Sequence, residues 1–162
     1  MKQVFSNTNF KDTSMSNISI LIGTMLGASE YVADRLTEVL EPQHKVTNHL
    51  APNLADLNAA QEQTWIICTS THGAGDFPDN INGFVESLKE QSPDLSKISY
   101  AVCALGDSNY DTFCQAGKTI DQLLEQLGAH RIAAAHLIDV SLGDLPEDSA
   151  ESWLANWKDQ LN

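Results

Sequence analysis

Short apolar runs alternate along the chain with segments of helical periodicity. Residues 18–22, 65–70 and 99–105 are nearly continuous apolar or β-branched runs, which is typical of strands buried on both faces. Residues 44–49 and 131–138 are two weaker strand candidates. The pattern therefore predicts five strands.

Apolar residues at helical spacing follow four of these strands, and each set marks the buried face of a predicted helix. The four faces are formed by Val32, Leu36, Val39 and Leu40, by Ile81, Phe84, Val85 and Leu88, by Ile120, Leu123, Leu124 and Leu127, and by Trp153, Leu154, Trp157 and Leu161. Gly128 is expected to end the third helix, and Pro146 to begin the fourth.

The alternation of strands and helices predicts an α/β fold with a parallel sheet, right-handed crossovers and helices on both faces. In such sheets, ligands bind beyond the carboxyl ends of the strands. The loops over residues 23–29, 70–80 and 105–117 are expected at these ends, and all three have unusual compositions. We therefore predict that they form one site.

The composition fits one globular domain. The chain has 162 residues and an apolar content of 42%, and no apolar run is long enough to span a membrane. Residues 1–17 are polar and aperiodic, so we predict a disordered extension before a domain over residues 18–162, with Met15 as an alternative start. The first residues lack the long apolar stretch of a secretion signal, and we expect a cytoplasmic protein.

Charge and cysteine content narrow the classes of partner. The formal net charge of −13 argues against binding to nucleic acid or anionic lipid, because both are polyanions. It is compatible with docking onto basic partners and equally with a purely solubilising role. Cys68, Cys103 and Cys114 are widely spaced and are expected to be reduced thiols, so we predict no metal site.

The first loop, Gly23-Thr24-Met25-Leu26-Gly27-Ala28-Ser29-Glu30, leads from a strand into a helix. Backbone N–H groups at a helix start donate to phosphate oxygens, and the hydroxyls of Thr24 and Ser29 add further donors. The loop contains no lysine, whereas phosphoryl transfer generally requires one together with Mg²⁺. It therefore indicates either a site that holds a phosphate without reacting with it or an ordinary strand-to-helix turn.

The second loop, Ser70-Thr71-His72-Gly73-Ala74-Gly75-Asp76-Phe77-Pro78-Asp79-Asn80, is rich in glycine. Gly73 and Gly75 permit backbone conformations that other residues rarely adopt and let a planar ligand approach the chain. The imidazole of His72 could pack flat on such a ligand. We expect Asp79 to cap the following helix.

The third loop, Leu105-Gly106-Asp107-Ser108-Asn109-Tyr110-Asp111-Thr112-Phe113-Cys114, presents two aromatic side chains. An aromatic residue at the ligand-binding end of a sheet can stack on a flat heterocycle. We expect Tyr110 to take this role and Phe113 to fill the core.

Together, the segments 23–30, 70–76 and 105–114 make the chain resemble the flavodoxins. The likeness is greatest to the MioC group of small bacterial flavodoxin-like proteins. The chain is also similar to the FMN domains of diflavin reductases, such as the sulfite reductase flavoprotein. The resemblance covers residues 18–161 and implies a flavodoxin-like three-layer sandwich, with a five-stranded parallel sheet of order 2-1-3-4-5.

The resemblance implies that the three loops bind FMN without a covalent bond. Its phosphate would be held by Thr24, Met25, Leu26, Gly27, Ala28 and Ser29. One face and edge of the isoalloxazine ring would be lined by Ser70, Thr71, His72, Gly73, Ala74 and Gly75. The other side, with Tyr110 stacked on the ring, would be lined by Leu105, Gly106, Asp107, Ser108, Asn109, Tyr110, Asp111, Phe113 and Cys114. Diflavin reductases often have an aromatic residue in place of His72, which leaves the covering of that face open.

The function that this resemblance implies is electron transfer. A monomeric carrier with no catalytic residue of its own would take electrons one at a time from an NADPH-dependent flavoprotein reductase. It would pass them to a basic-faced acceptor such as an iron–sulfur or radical enzyme, biotin synthase being one candidate. The alternative is a stand-alone NAD(P)H-dependent flavin or quinone reductase, although no second dinucleotide-binding fingerprint is present in the sequence.

Overall fold

The structure, a computed structural model, describes residues 15–161. Residues 1–14, which make up most of the predicted disordered extension, lie outside the described residues. Ser16 already contacts the sheet, because its N–H donates to His44 Nδ1 at 3.1 Å and its carbonyl accepts from the N–H of Lys45 at 3.0 Å. The first strand begins directly after it.

The elements alternate as the apolar pattern predicts. The strands are β1 (Asn17–Gly23), β2 (Lys45–His49), β3 (Gln63–Thr69), β4 (Ile98–Gly106), β5 (His130–Arg131) and β6 (His136–Asp139). The helices are α1 (Ala28–Leu40), α2 (Asp79–Gln91), α3 (Gln115–Gln126) and α4 (Pro146–Trp157). None of the helices within residues 15–161 is both long and apolar enough to cross a membrane.

The strands form one sheet of order β2-β1-β3-β4-β5, and β6 pairs with the end of β4. Every pairing among these strands is parallel. The register places Leu21, Ile67 and Val102 side by side in the middle of the sheet. The structure confirms the flavodoxin-like order 2-1-3-4-5.

Both faces of the sheet are covered by apolar layers, which confirms the three-layer sandwich. Helices α1 and α4 cover one face, mainly through Val32, Leu36, Leu40, Trp153, Leu154 and Trp157. Helices α2 and α3 cover the other, mainly through Ile81, Phe84, Val85, Leu88, Ile120 and Leu124. Each buried side chain of this size contributes about 1.5–3 kcal/mol relative to exposure, so the sheet is a rigid base for the loops at its edge.

The predicted fifth strand over residues 131–138 is divided in the structure. β5 ends at Arg131, and pairing with β4 resumes only at His136. The intervening segment contains Ala133, Ala134 and Ala135, and alanine has a low strand propensity. The carbonyl of Ala134 accepts a hydrogen bond from the Trp153 indole at 3.3 Å, so this carbonyl bonds to α4 and not to a strand.

Candidate functional site

The site lies at the carboxyl edge of the sheet, where three loops follow neighbouring strands. We call them loop 1 (residues 24–27, after β1), loop 2 (residues 70–78, after β3) and loop 3 (residues 107–114, after β4). Because β1, β3 and β4 are adjacent and parallel, all three loops leave the same edge of the sheet.

Hydrogen bonds hold the three loops against one another. The N–H of Ser70 in loop 2 donates to the carbonyl of Gly23, the last residue of β1 before loop 1, at 3.0 Å. The hydroxyl of Thr112 in loop 3 donates to the carbonyl of Gly73 in loop 2, at 3.4 Å. The N–H of Ala116 in α3 donates to Thr71 Oγ1 at 3.1 Å. The structure thus brings together the loops that the sequence predicts as one site.

Gly23 sets the position from which loop 1 begins. A Cβ atom on this residue would overlap Thr69 Oγ1 and would lie 2.8 Å from Ile81 Cγ2. Glycine therefore allows the end of β1 to pack directly against β3 and α2.

Loop 1 presents backbone donors at an uncapped helix start. Gly27 is the N-cap residue of α1, and no side chain caps this helix. Thr24 Oγ1 accepts a hydrogen bond from the N–H of Gly27 at 2.9 Å, which closes the loop on itself. The N–H groups of Met25, Leu26, Ala28 and Ser29 make no hydrogen bond within residues 15–161. Such N–H groups, together with the helix dipole, favour an anion at this position.

Ser29 adds a buried hydroxyl at the same helix start. The residue is buried in the first turn of α1, and its Oγ has no hydrogen-bond partner in the described structure. A buried hydroxyl without a partner carries an uncompensated desolvation cost. A phosphate seated on the helix start would supply the missing acceptor, as the prediction for Ser29 requires.

Asn80 is a residue of this site that the sequence analysis missed. Its Oδ1 accepts from the N–H of Thr24 at 2.9 Å, and its Nδ2 donates to the carbonyl of Ile22 at 2.7 Å and to that of Leu50 at 2.6 Å. The prediction that the preceding residue, Asp79, caps α2 is wrong. Pro78 is the N-cap residue, and no side chain caps the helix.

Loop 2 is a tight turn closed by backbone pairing. His72 and Asp76 exchange N–H···O bonds of 2.8 Å in both directions. Gly73 and Gly75 have φ values of 52° and 104°, which are rare for residues with a side chain and confirm the predicted backbone conformation. The imidazole of His72 is exposed, so it is available to a ligand but is not fixed by the protein.

A cavity of about 320 Å³ lies between loops 2 and 3. Its lining includes Thr71, Gly73, Gly106, Asp107, Tyr110 and Phe113. The ring of Tyr110 is 67% exposed and can cover a planar group that enters the cavity. Phe113 is partly buried and packs against the core, as predicted.

Two residues that the resemblance assigns to the ring have side chains in the core. Leu105 is 2% exposed and belongs to the apolar layer under α1 and α4. Cys114 is completely buried, and its thiol points toward the carbonyls of Ala104 and Ile138, at 3.5 and 3.9 Å. Burial raises the pKa of this thiol to about 11. These two side chains therefore support the cavity from below and do not line it.

Asp139 fixes loop 3 from the end of β6 and was also missed by the sequence analysis. One of its carboxylate oxygens accepts from the N–H of Ser108 at 3.2 Å and from the N–H and hydroxyl of Ser141 at 3.0 and 2.6 Å. Hydrogen bonds from these two serines lower the pKa of Asp139 to about 2. Within loop 3, Asp107 Oδ1 accepts from the N–H of Asn109 at 2.9 Å.

Comparisons with known proteins agree with this geometry. The family model described as Flavodoxin matches residues 20–153. The chain is 41% identical to Protein MioC of Escherichia coli (strain K12) over 148 residues, which cover 91% of this chain and 99% of that protein. It is 38% identical to Flavodoxin YqcA of the same strain over 144 residues, covering 88% and 97%. A C101A mutant of flavodoxin from Pseudomonas aeruginosa superposes with a TM-score of 0.79 at 31% identity, covering 86% and 95% of the two chains.

The residues present fit the cofactor of these proteins. Loop 1 offers unpaired N–H groups and an orphaned buried hydroxyl to a phosphate, and the cavity beside Tyr110 accepts a flat ring system. No group of three or more His, Cys, Asp or Glu residues within 15–161 is arranged to hold a metal ion. On its family model, its relatives and the geometry of its three loops, the chain belongs to the flavodoxin family and binds FMN without a covalent bond.

Proposed function

We propose that this flavodoxin-like electron-transfer protein shuttles single electrons from an NADPH-dependent flavoprotein reductase to a basic-faced acceptor enzyme. The acceptor class that we favour is an iron–sulfur or radical enzyme, of which biotin synthase is one example. In this proposal the protein is a monomeric, cytoplasmic carrier with no substrate of its own. FMN supplies the redox chemistry when bound, and the protein controls its potential and its access to partners.

The observation that carries the proposal is the open outer side of the FMN site. Tyr110 is 67% exposed beside the cavity, and Leu26 in loop 1 is 98% exposed at the same edge of the sheet. A ring bound between loops 2 and 3 would therefore lie next to exposed side chains at the protein surface. This arrangement suits electron exchange by surface contact with a second protein.

The charge around this edge supports a basic partner. Asp76 in loop 2, Asp79 at the start of α2 and Asp111 in loop 3 are exposed at this edge of the sheet, and Asp107 is half-buried in the lining of the cavity. They add a local negative field to a chain whose net charge is −13. Oppositely charged surfaces steer encounter and raise association rates, and salt weakens this effect.

A stopped-flow experiment tests the proposal. The FMN-loaded protein is mixed with NADPH alone, and then with NADPH and a purified flavoprotein reductase, while the flavin absorbance is followed. We expect slow reduction by NADPH alone and rapid reduction through the reductase. Rapid reduction without the reductase would instead favour a stand-alone NAD(P)H-dependent flavin or quinone reductase.

The ionic-strength dependence of the same reaction tests the docking charge. Between about 0.01 and 0.15 M salt the Debye length falls from about 30 to 8 Å, so the second-order rate should fall steeply. Asp111→Asn should flatten this dependence. Glu41→Gln makes the same charge change at the other end of α1, is exposed, and serves as the matched control. Equal effects of the two substitutions would contradict docking at the FMN edge.

A further inference from the structure

Asn80 occupies a junction between three separate parts of the chain. It stands in the first turn of α2, yet its side chain bonds to the end of β1, to the start of loop 1 and to the residue after β2. Its partners are 30 to 58 residues away in sequence. Because all its side-chain hydrogen bonds go to other elements, Asn80 stabilises tertiary structure and does not cap its own helix.

The bonding pattern fixes the orientation of the amide. Both partners of Nδ2 are carbonyl oxygens, and the partner of Oδ1 is an N–H group. Exchanging the amide oxygen and nitrogen would mismatch all three contacts. Only an amide of this length offers two donors and one acceptor here, and the isosteric carboxylate of aspartate would face two carbonyls as an acceptor.

These hydrogen bonds hold loop 1 in position. Asn80 engages the N–H of Thr24, and Thr24 in turn engages the N–H of Gly27 through its hydroxyl. These two hydrogen bonds use the N–H groups of the first and last residues of loop 1. They leave those of Met25, Leu26, Ala28 and Ser29 without partners in the described structure. A loop held in this way need not be ordered when the phosphate arrives.

We propose that Asn80 is a positioning residue that preforms loop 1 for the phosphate of FMN. It acts through Thr24 and does not itself hold the phosphate. The inference rests on the FMN site and is independent of the redox partners proposed above. It predicts that the loss of Asn80 weakens recognition of the phosphate more than recognition of the ring.

Flavin affinities with and without the phosphate measure this difference. The FMN-free forms of wild type, Asn80→Asp and Asn80→Ala are titrated with FMN and with riboflavin, and quenching of flavin fluorescence gives each Kd. We expect both substitutions to weaken FMN binding about tenfold or more. Alanine leaves the N–H of Thr24 without its acceptor, whereas aspartate keeps that acceptor but sets a carboxylate against the carbonyls of Ile22 and Leu50. Riboflavin, which has no phosphate, should bind the variants about as tightly as it binds wild type.

Asn82→Asp is the matched control for charge. Asn82 is exposed on the same helix, two residues further along, and makes no side-chain hydrogen bond within residues 15–161. It should leave the ratio of the FMN and riboflavin affinities at the wild-type value. Thermal unfolding of each FMN-free variant establishes that the titrated protein is folded.

The two affinities together decide whether Asn80 positions loop 1. A fall in FMN affinity with unchanged riboflavin affinity supports the proposal, whereas an equal fall for both ligands, or no change, overturns it. If Asn80→Asp does not fold, Asn80→Ala decides, and if neither folds the residue is needed for folding and the proposal is overturned. Failure of the wild-type protein to bind FMN would instead refute the cofactor assignment.

Discussion

Replacing Ser29 by alanine should change the stability of the FMN-free protein and its affinity for FMN in opposite directions. The Ser29 hydroxyl is buried in the first turn of α1 and has no hydrogen-bond partner in the described structure. It therefore carries a desolvation cost that no contact offsets until an acceptor is present. Alanine removes the hydroxyl while leaving the backbone N–H groups of the helix start in place.

The expected gain in stability of the FMN-free protein follows from that desolvation cost. An unsatisfied buried polar group costs about 1–3 kcal/mol, so Ser29→Ala should raise the free energy of unfolding by about 1 kcal/mol. For a chain of this size, the melting temperature should rise by about 2–4 °C. Differential scanning calorimetry of the FMN-free protein measures both quantities.

The same substitution should lower the affinity for FMN. A hydrogen bond to a charged group contributes about 1.5–3 kcal/mol, which corresponds to a loss of about 10- to 150-fold in FMN affinity. Riboflavin lacks the phosphate, so its affinity should not change. Fluorescence titration with the two ligands gives both constants.

Thr24→Val is the contrasting substitution. Thr24 Oγ1 already accepts from the N–H of Gly27 at 2.9 Å, so its loss should destabilise the FMN-free protein by about 1 kcal/mol. The reasoning on Ser29 is refuted if Ser29→Ala lowers the melting temperature of the FMN-free protein and leaves FMN affinity unchanged. That result would mean that the hydroxyl has a partner within the protein and does not contact the phosphate.

Three further substitutions test other parts of the site. Tyr110→Leu should weaken FMN and riboflavin binding to the same extent, because it removes stacking on the ring and no contact with the phosphate. It should change the free energy of unfolding by less than about 0.5 kcal/mol, because the side chain is 67% exposed. Gly23→Ala should destabilise the FMN-free protein by about 1–3 kcal/mol in denaturant titrations, because its Cβ would overlap Thr69. Asp139→Asn should flatten the pH dependence of stability between about pH 4 and pH 2 in acid unfolding. The lowered pKa of Asp139, about 2, means that its stabilising contribution is present above its ordinary value of 3.8 and is lost as the pH falls through about 2.

The parts of the fold that the sequence predicts well are those set by local patterns. Apolar runs placed β1, β3 and β4 within one or two residues of their observed ends, and helical spacing identified the buried faces of all four helices. These patterns are visible because burial on a sheet or a helix face imposes a fixed period on neighbouring residues. The prediction of one continuous fifth strand failed because hydrogen bonding to β4 stops over residues 133–135, which are all alanine, and the carbonyl of Ala134 bonds to α4.

The residues that hold the loops in place were not predicted. Asn80 reaches partners up to 58 residues away, and Asp139 reaches Ser108 from 31 residues away. Such contacts have no characteristic spacing, so periodicity and motif analysis cannot detect them. The sequence does contain a weak signal for Asn80, since it is a polar residue in the first turn of a helix that begins at the ligand-binding edge.

The absence of lysine from loop 1 has a consequence for how salt acts on this protein. The chain carries a net charge of −13, and loop 1 would hold a doubly charged phosphate through N–H groups and hydroxyls, so long-range electrostatics should oppose FMN binding. Salt screens this repulsion, whereas the short hydrogen bonds at the helix start are screened far less. Added salt should therefore leave the Kd for FMN unchanged or make it smaller over the range in which docking to a basic partner becomes slower. Titrations of FMN at low and high ionic strength measure the first effect, and weaker FMN binding at high salt would show that a cationic side chain holds the phosphate after all.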